Sequence, residues 1–329
     1  MVDSIRVLVL SKLGKSDTQI ARHLPGGKLD CGEIVFQTDP KEPTDLVVVL
    51  NYIPYDLRVQ MRRGWAWVWD NEPQVSHRHP RGFSKVFTHL DSTSDPRRIT
   101  APPALDWWVK KSFDELSTMG PPKKTGQISA IASTKTWKAG HQRRHEFFEY
   151  LEANEAGVDV FGHGRPRELA DKWDGIAPYQ YSIAIENTSK RDYWTEKISD
   201  CFLSFTVPIY FGATNIADYF PRESYIWLPL DDQVQAKRVI QEILAEDDWE
   251  KRLPAITEAR KLVLEKYSLF GQLSAAIAPI RQEILSSPRL TSVVPGRRTR
   301  PGGWMRGAGL RKNLQAQLTR RTRRLRSGN

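Results

Sequence analysis

Between Ile185 and Gly212 the chain reads IENTSKRDYWTEKISDCFLSFTVPIYFG, and several of these side chains could do chemistry together. Glu186 and Asn187 close an apolar run, YSIAI. Asp192 is a helix-capping residue type, which would open a helix at Tyr193. Tyr193, Glu196 and Lys197 then stand at i, i+3 and i+4, on one face of its first turn. The free N–H groups and dipole of a helix amino end favour an anion, and Lys197 adds a full positive charge. Carboxylates beside a phosphate need another task, and accepting hydrogen bonds from ribose hydroxyls is one. Tyr193 offers a ring to stack and a hydroxyl to donate. The set describes a site for a nucleoside diphosphate carrying a sugar. The same residue types at helical spacing also decorate solvated helix faces, so spacing alone leaves both readings open.

Elements that could carry such a site alternate along the chain. Strands are expected at IRVLVL (5–10), DLVVVL (45–50), WAWVWD (65–70) and KVFTHL (85–90). LVVVL is apolar on both parities, the mark of a strand covered on both faces, as in a parallel sheet. The Pro/Gly/Lys-rich STMGPPKKTGQ (117–127) is a break. Beyond it come a strand ISAIAS (128–133), an amphipathic helix (141–154), and strands VDVFG (158–162) and YSIAIEN (181–187). A helix (193–205), strands VPIYFG (207–212) and SYIWLPL (224–230), and helical patterns from 231 to 284 follow. This predicts two α/β domains, 1–120 and 121–275, then a C-terminal helix (276–290) and a tail (291–329). Ligands of such folds bind at the carboxyl ends of strands, here in the cleft between domains.

Composition narrows the class. Hydrophobic residues are 40% and charged residues 27%, as in a soluble globular chain. No apolar run approaches the roughly 20 residues of a membrane span, and the start, MVDSIRVLVL, is too short and carries Asp3 too early for a signal peptide. Cys31 and Cys201 make no disulfide framework, and Cys201 falls in an apolar helical run. The net charge of +10 is local: residues 291–329 hold ten Arg, one Lys and no acid, so removing their +11 leaves −1 for residues 1–290. The excess belongs to the tail, which argues against a nucleic-acid-binding body.

The order Glu186-Asn187, Tyr193-x-Thr195-Glu196-Lys197, Pro208-Ile-Tyr-x-Gly212 resembles the donor-site signature of the α1,3/α1,4-fucosyltransferases, glycosyltransferase family 10. ISAIASTKTWKAGHQRRHEFFEYL (128–151) and VDVFGHG (158–164) resemble that family's upstream segments, and WVWDNEP (67–73) its region bearing the catalytic carboxylate. The likeness spans about 65–230, and residues 1–60 match by architecture alone.

The resemblance implies a two-domain GT-B fold. It also implies inverting transfer of fucose from GDP-β-L-fucose to O3 or O4 of a GlcNAc or Glc unit in a glycan. The first domain would take acceptor and the second donor. Lys197 and Arg144 match family residues at the donor phosphates, with Arg143 as the neighbouring choice. Tyr193 matches a tyrosine of that site, Glu196 a ribose-holding carboxylate, and Glu186 and Asn187 a pair near sugar or ribose. Inversion in one displacement needs a general base near the acceptor hydroxyl. The match favours Glu72, before Pro73 at a strand end, over Asp70. His77, His79 and Arg81 follow it and are candidate acceptor contacts or a solvated loop. Trp65, Trp67 and Trp69 share one strand face, and core is their expected fate.

Lys197 and Arg144 could stabilise the leaving diphosphate directly. No convincing Asp-x-Asp stands at a strand end, and PLDDQ (229–233) reads as a helix start, so no metal is expected to be required, though Mn or Mg could stimulate. Leu310, Leu314, Leu318 and Leu325 recur on one helical face of the tail among Arg and Lys, a pattern suited to an anionic membrane surface. The expectation is a cytoplasmic protein of bacterial type, peripheral on the inner face of the membrane. Alternatives are another GDP-sugar donor on the same fold, or a non-catalytic glycan-binding protein.

Overall fold

Aliphatic runs buried on both faces form the centre of each of two parallel sheets. The computed structural model describes residues 4–12, 14–73, 79–90, 95–104, 106–132, 139–154, 156–246 and 248–297. In chain order the strands are β1 (Ile5–Ser11), β2 (Ile34–Gln37), β3 (Leu46–Leu50), β4 (Leu57–Arg62), β5 (Ala66–Trp69), β6 (Lys85–Thr88) and β7 (Arg98–Thr100). There follow β8 (Gly126–Ile131), β9 (Val158–Phe161), β10 (Tyr179–Ile185), β11 (Val207–Phe211), β12 (Ile226–Trp227) and β13 (Arg289–Val294). The helices are α1 (Asp17–Ala21), α2 (Phe113–Thr118), α3 (Ala139–Ala153), α4 (Lys172–Ile176), α5 (Glu196–Leu203), α6 (Gln233–Glu246), α7 (Trp249–Leu262), α8 (Leu269–Ile277) and α9 (Arg281–Ser286).

The first sheet runs β2-β1-β3-β5-β6-β7 and the second β12-β11-β10-β8-β9, every pairing parallel. All five residues of β3 are buried, as its apolar pattern predicts. In the first sheet β1 has β2 on one side and β3 on the other; in the second, β8 is flanked by β9 and β10 in the same way. Successive crossovers therefore diverge beside β1 and beside β8, and the carboxyl ends there open into crevices. Gly162, just beyond β9, has φ +152°, and any Cβ there would strike the carbonyl of Ala132 beyond β8. A glycine is required where these two strand ends close up.

Two hydrophobic cores sit on these sheets. One gathers buried residues from Ile5 to Ala104 together with Leu269, Leu273, Ile277, Ile284 and Val294. The other runs from Trp107 to Leu264. Trp65, Trp67 and Trp69 are buried in the first, with Trp69 stacked on Phe87 at 4.2 Å, the core fate expected of them.

Residues 291–294, read from composition as the start of the tail, are strand instead. β13 pairs antiparallel with β4, Arg289 opposite Arg62 and Val294 opposite Leu57. Asp45, at the start of β3, holds both strands. It accepts from the Arg6 amide (3.0 Å) and Arg62 Nε (2.9 Å), and from Arg289 at 2.5 Å. No apolar run announces this strand: of RLTSVV only Val294 is buried. The tail beyond Arg297, with its leucine stripe, lies outside the described residues.

Candidate functional site

The helix that carries Lys197 begins three residues later than its sequence suggests. Asp192 does not cap it. Asp192 has φ 58°, and its carboxylate takes hydrogen bonds from Asn215 Nδ2 (2.8 Å) and the Tyr219 hydroxyl (2.6 Å). Thr195 is the cap, its side chain accepting from the Lys197 amide, and α5 opens at Glu196. Tyr193 therefore precedes the helix rather than sharing a face of its first turn. The reason is local: Asn215 Oδ1 accepts from the Asp192 amide (2.8 Å) while its Nδ2 returns to the carboxylate, which fixes Asp192 in a turn.

Glu186 explains why a carboxylate closes β10. It is 1% exposed and accepts from the Thr195 amide (2.7 Å), the Thr195 hydroxyl (2.8 Å) and Lys197 Nζ (3.1 Å). It thus pins the amino end of α5 to the strand. Lys197 Nζ also donates to Thr195 Oγ1 (2.9 Å) and lies 3.6 Å from Glu196 Oε1. Burial opposes its charge, but the Glu186 and Glu196 carboxylates outweigh that and hold it firmly protonated. Gly212 ends the PIYFG run for a steric reason. A Cβ there would come within 2.6 Å of Glu186 Cγ and would collide with the Tyr210 hydroxyl.

Thr195, Glu196 and Lys197 line a cleft of about 440 Å³. Arg144, on α3, is 7% exposed; it donates to Asn187 Oδ1 (3.1 Å), and among the described residues its Nε has no hydrogen-bond partner. Burial draws its pKa down, with Glu186, Glu196 and Tyr193 acting against that. Arg143 turns the other way, to Asp231 at 2.6 Å on an exposed face. Tyr193 is 2% exposed, its ring 4.8 Å from that of His89. Burial and the nearby Glu186, Glu196 and Glu72 push its hydroxyl far above the ordinary tyrosine range. Glu72 comes from the first sheet. It is exposed and lines the same cleft, its loop held by Asn51 Oδ1, which accepts from the amides of Asn71 (2.7 Å) and Glu72 (3.2 Å).

The cleft thus lies where β3, β5, β8 and β10 end, and it gathers Glu72, Arg144, Asn187, Tyr193, Glu196 and Lys197, with Glu186 buried behind them. Asp70 is 2% exposed and its carboxylate meets His79 Nε2 at 3.0 Å. Neither His79 nor the exposed Arg81 lines the cleft, and His77 lies outside the described residues. Cys201 is buried, and burial pushes its thiol to about 12, consistent with inert core.

Sequence reasoning missed several lining residues. Asp200, fully buried, accepts from the Trp108 amide (2.9 Å) and from Lys172 Nζ (3.3 Å). Lys172 also reaches Glu196 Oε1 at 3.8 Å. Asp200 had a signal: it stands four residues after Glu196, directly before the apolar run Cys201-Phe202-Leu203. Asn51 had one too, a polar residue directly after an apolar strand. Lys172 had none.

Two parallel sheets, with a polar cleft at their strand ends, define the class: this is the GT-B fold of nucleotide-sugar-dependent glycosyltransferases. Residues 121–250 match the family described as "Glycosyltransferase family 10 (fucosyltransferase) C-term". The mouse alpha-(1,3)-fucosyltransferase 4 is 30% identical over 173 residues, 50% of this chain and 39% of the mouse protein. The Helicobacter pylori alpha-(1,3)-fucosyltransferase FucT is 31% identical over 110 residues, 32% of this chain and 22% of that protein. The chain therefore spans well under half the length of these relatives. A crystal structure of an alpha1,3-fucosyltransferase with GDP-fucose superposes with a TM-score of 0.51 at 17% identity, covering 88% of this chain and 93% of the other, a likeness of fold.

Proposed function

We propose that the protein transfers L-fucose from GDP-β-L-fucose to a hydroxyl of a glycan, with inversion. The carrying observation is Arg144, almost wholly buried, its Nε unpartnered among the described residues, in the same cleft as Lys197 and the amino end of α5. A buried cation with an unmade hydrogen bond suits a diphosphate. The family match and the α1,3-fucosyltransferase relatives make fucose the donor sugar of choice.

In this reading the donor occupies the second-sheet side of the cleft and the acceptor the first-sheet side. Glu72 accepts the proton of the acceptor hydroxyl as that oxygen attacks the anomeric carbon from the face opposite GDP. The bond to the β-phosphate oxygen breaks, and Arg144 and Lys197 meet the charge that develops there. Glu196 takes a ribose hydroxyl, Asn187 fixes Arg144, and Tyr193 closes the floor. Glu72 is preferred over Asp70 because it is exposed to the cleft, whereas Asp70 is buried against His79. O3 or O4 of GlcNAc or Glc is the proposed acceptor position. Because two fixed cations meet the leaving group, no metal is required; activity should persist in excess EDTA.

The test is calorimetric titration with GDP, UDP, ADP and CMP, in wild type and Lys197→Ala. Selective GDP binding, weakened at least tenfold (~1.4 kcal/mol) by the substitution, supports the reading. Preference for UDP or CMP, or no nucleotide binding, overturns it. Among the described residues no helix is long and apolar enough to cross a membrane. We place the protein at the inner face of the cytoplasmic membrane through the basic segment 297–329, on the strength of its charge and leucine spacing.

A further inference from the structure

A second cleft, of about 800 Å³, opens at the carboxyl end of β1, where the crossovers of the first sheet diverge. Its wall is basic. Among the described residues that line it, Lys15, Arg22 and Lys110 stand against one carboxylate, Asp106, which is ion-paired with Lys15. Among the described residues no carboxylate forms an ion pair with the Arg22 guanidinium or with Lys110 Nζ, although the Lys110 backbone amide donates to Asp171 Oδ1 at 3.0 Å. Arg22 instead lies beside the neighbouring His23, NH2 to Nε2 at 3.2 Å. His23 adds no charge of its own at neutral pH, because burial lowers its pKa, and its ring nitrogens lie against the carbonyls of Gln19 (2.8 Å) and Trp107 (3.3 Å). Two positive charges thus remain in a concavity on a body, residues 1–290, whose charges sum to −1. A local excess on a nearly neutral body is an arrangement, not an average.

Trp108 lines this cleft and the first one as well. It is 61% exposed, whereas Trp107 beside it is buried. The exposed indole is nonetheless held in place. The Trp108 amide donates to the buried Asp200 (2.9 Å), Lys172 Nζ lies 4.7 Å from its ring, and Trp107 is packed against His23 with ring centroids 4.4 Å apart. A fixed, solvent-facing indole on the ridge common to two clefts is a platform for the apolar face of a sugar ring.

Resting on the fucosyltransferase reading, we propose that the second cleft is an acceptor subsite for a glycan that carries a carboxylate, a uronate-containing chain. One sugar crosses Trp108 towards Glu72, and the uronate meets Arg22 and Lys110. The donor diphosphate engages Arg144 and Lys197 in the first cleft, so these two cations are left for a different anion. The planar guanidinium of Arg22 can take a carboxylate in two parallel hydrogen bonds, and Lys110 supplies a second charge nearby.

The experiment uses two tetrasaccharides of equal length, a hyaluronan fragment of alternating glucuronate and N-acetylglucosamine, and chitotetraose, which is uncharged. Each is titrated calorimetrically into the full chain, with GDP as a control. The hyaluronan fragment should bind at least tenfold more tightly, with the advantage fading as salt is raised. Arg22→Gln and Lys110→Gln should each weaken it roughly threefold or more, leaving chitotetraose and GDP binding unchanged. Trp108→Ala, or Trp108→Phe should the alanine variant not fold, should weaken both sugars. Equal affinity for the two fragments, binding of neither, or a loss in the Gln variants that falls on both alike overturns the proposal. Failure of GDP binding would instead remove the fucosyltransferase reading, and the sugar titrations would still report on this cleft.

Discussion

Two carboxylates two residues apart, Asp70 and Glu72, have opposite environments. Asp70 is buried against His79, while Glu72 faces the cleft on a loop fixed by Asn51. Glu72→Gln keeps the shape and removes the basic lone pair. It should lower kcat on GDP-fucose by about 10²–10⁴, while calorimetric GDP affinity stays within about twofold, since no donor contact is lost. A parallel loss of GDP affinity would mean that Glu72 holds donor instead. Gly212→Ala acts on the opposite wall. Its new Cβ would drive into Glu186, so we expect about 1–3 kcal/mol of lost stability in denaturant titration and weaker GDP binding through a displaced α5. Asn187, Tyr193, Glu196 and Lys197 could be read from the sequence because they sit within one 28-residue stretch, Ile185 to Gly212. The role of Glu186 could not. Its spacing says nothing about burial, and what looked like a ribose ligand is, in the fold, the anchor of a helix.

At the scale of elements, both sheets follow from short runs of β-branched residues buried on both faces. Missed strands, such as β4, are half-buried and alternate, or, like β13, are exposed along most of their length. α5 starts later than its sequence suggests because Asp192, a good capping residue type, is bonded instead to Asn215 and Tyr219. Asp45 is a further case of a contact invisible in sequence, joining β3, β4 and an arginine 244 positions away. Burial works against its charge, but the Arg6 amide and the Arg62 and Arg289 guanidiniums outweigh it and hold its carboxyl below the ordinary range. A carboxylate depressed on folding contributes stability above its unfolded pKa and loses it as pH falls through the folded value. Asp45→Asn should therefore cost about 2 kcal/mol near neutrality. The deficit should shrink below roughly pH 4, as thermal melts across pH would register. A deficit independent of pH would assign the loss to packing instead.

For the whole molecule, charge separates body from tail. Sedimentation with anionic liposomes should follow the full chain and fail for one ending at Gly296, which keeps β13 intact. Equal sedimentation of the two would remove the tail from membrane binding. Transfer activity on a water-soluble acceptor should be the same for both.

The distribution of the two cores has a further consequence, in time rather than in space. One core is complete once the chain has reached Leu264, but the other still lacks Leu269, Leu273, Ile277, Ile284 and Val294. A chain emerging amino end first therefore cannot finish the core it began with until almost the whole described length has been made. The later-starting core can close first. On the ribosome, a half-built β1–β7 sheet would wait with its underside uncovered. A released chain ending near residue 265 should then yield a protease-resistant fragment from its carboxyl half and none from its amino half.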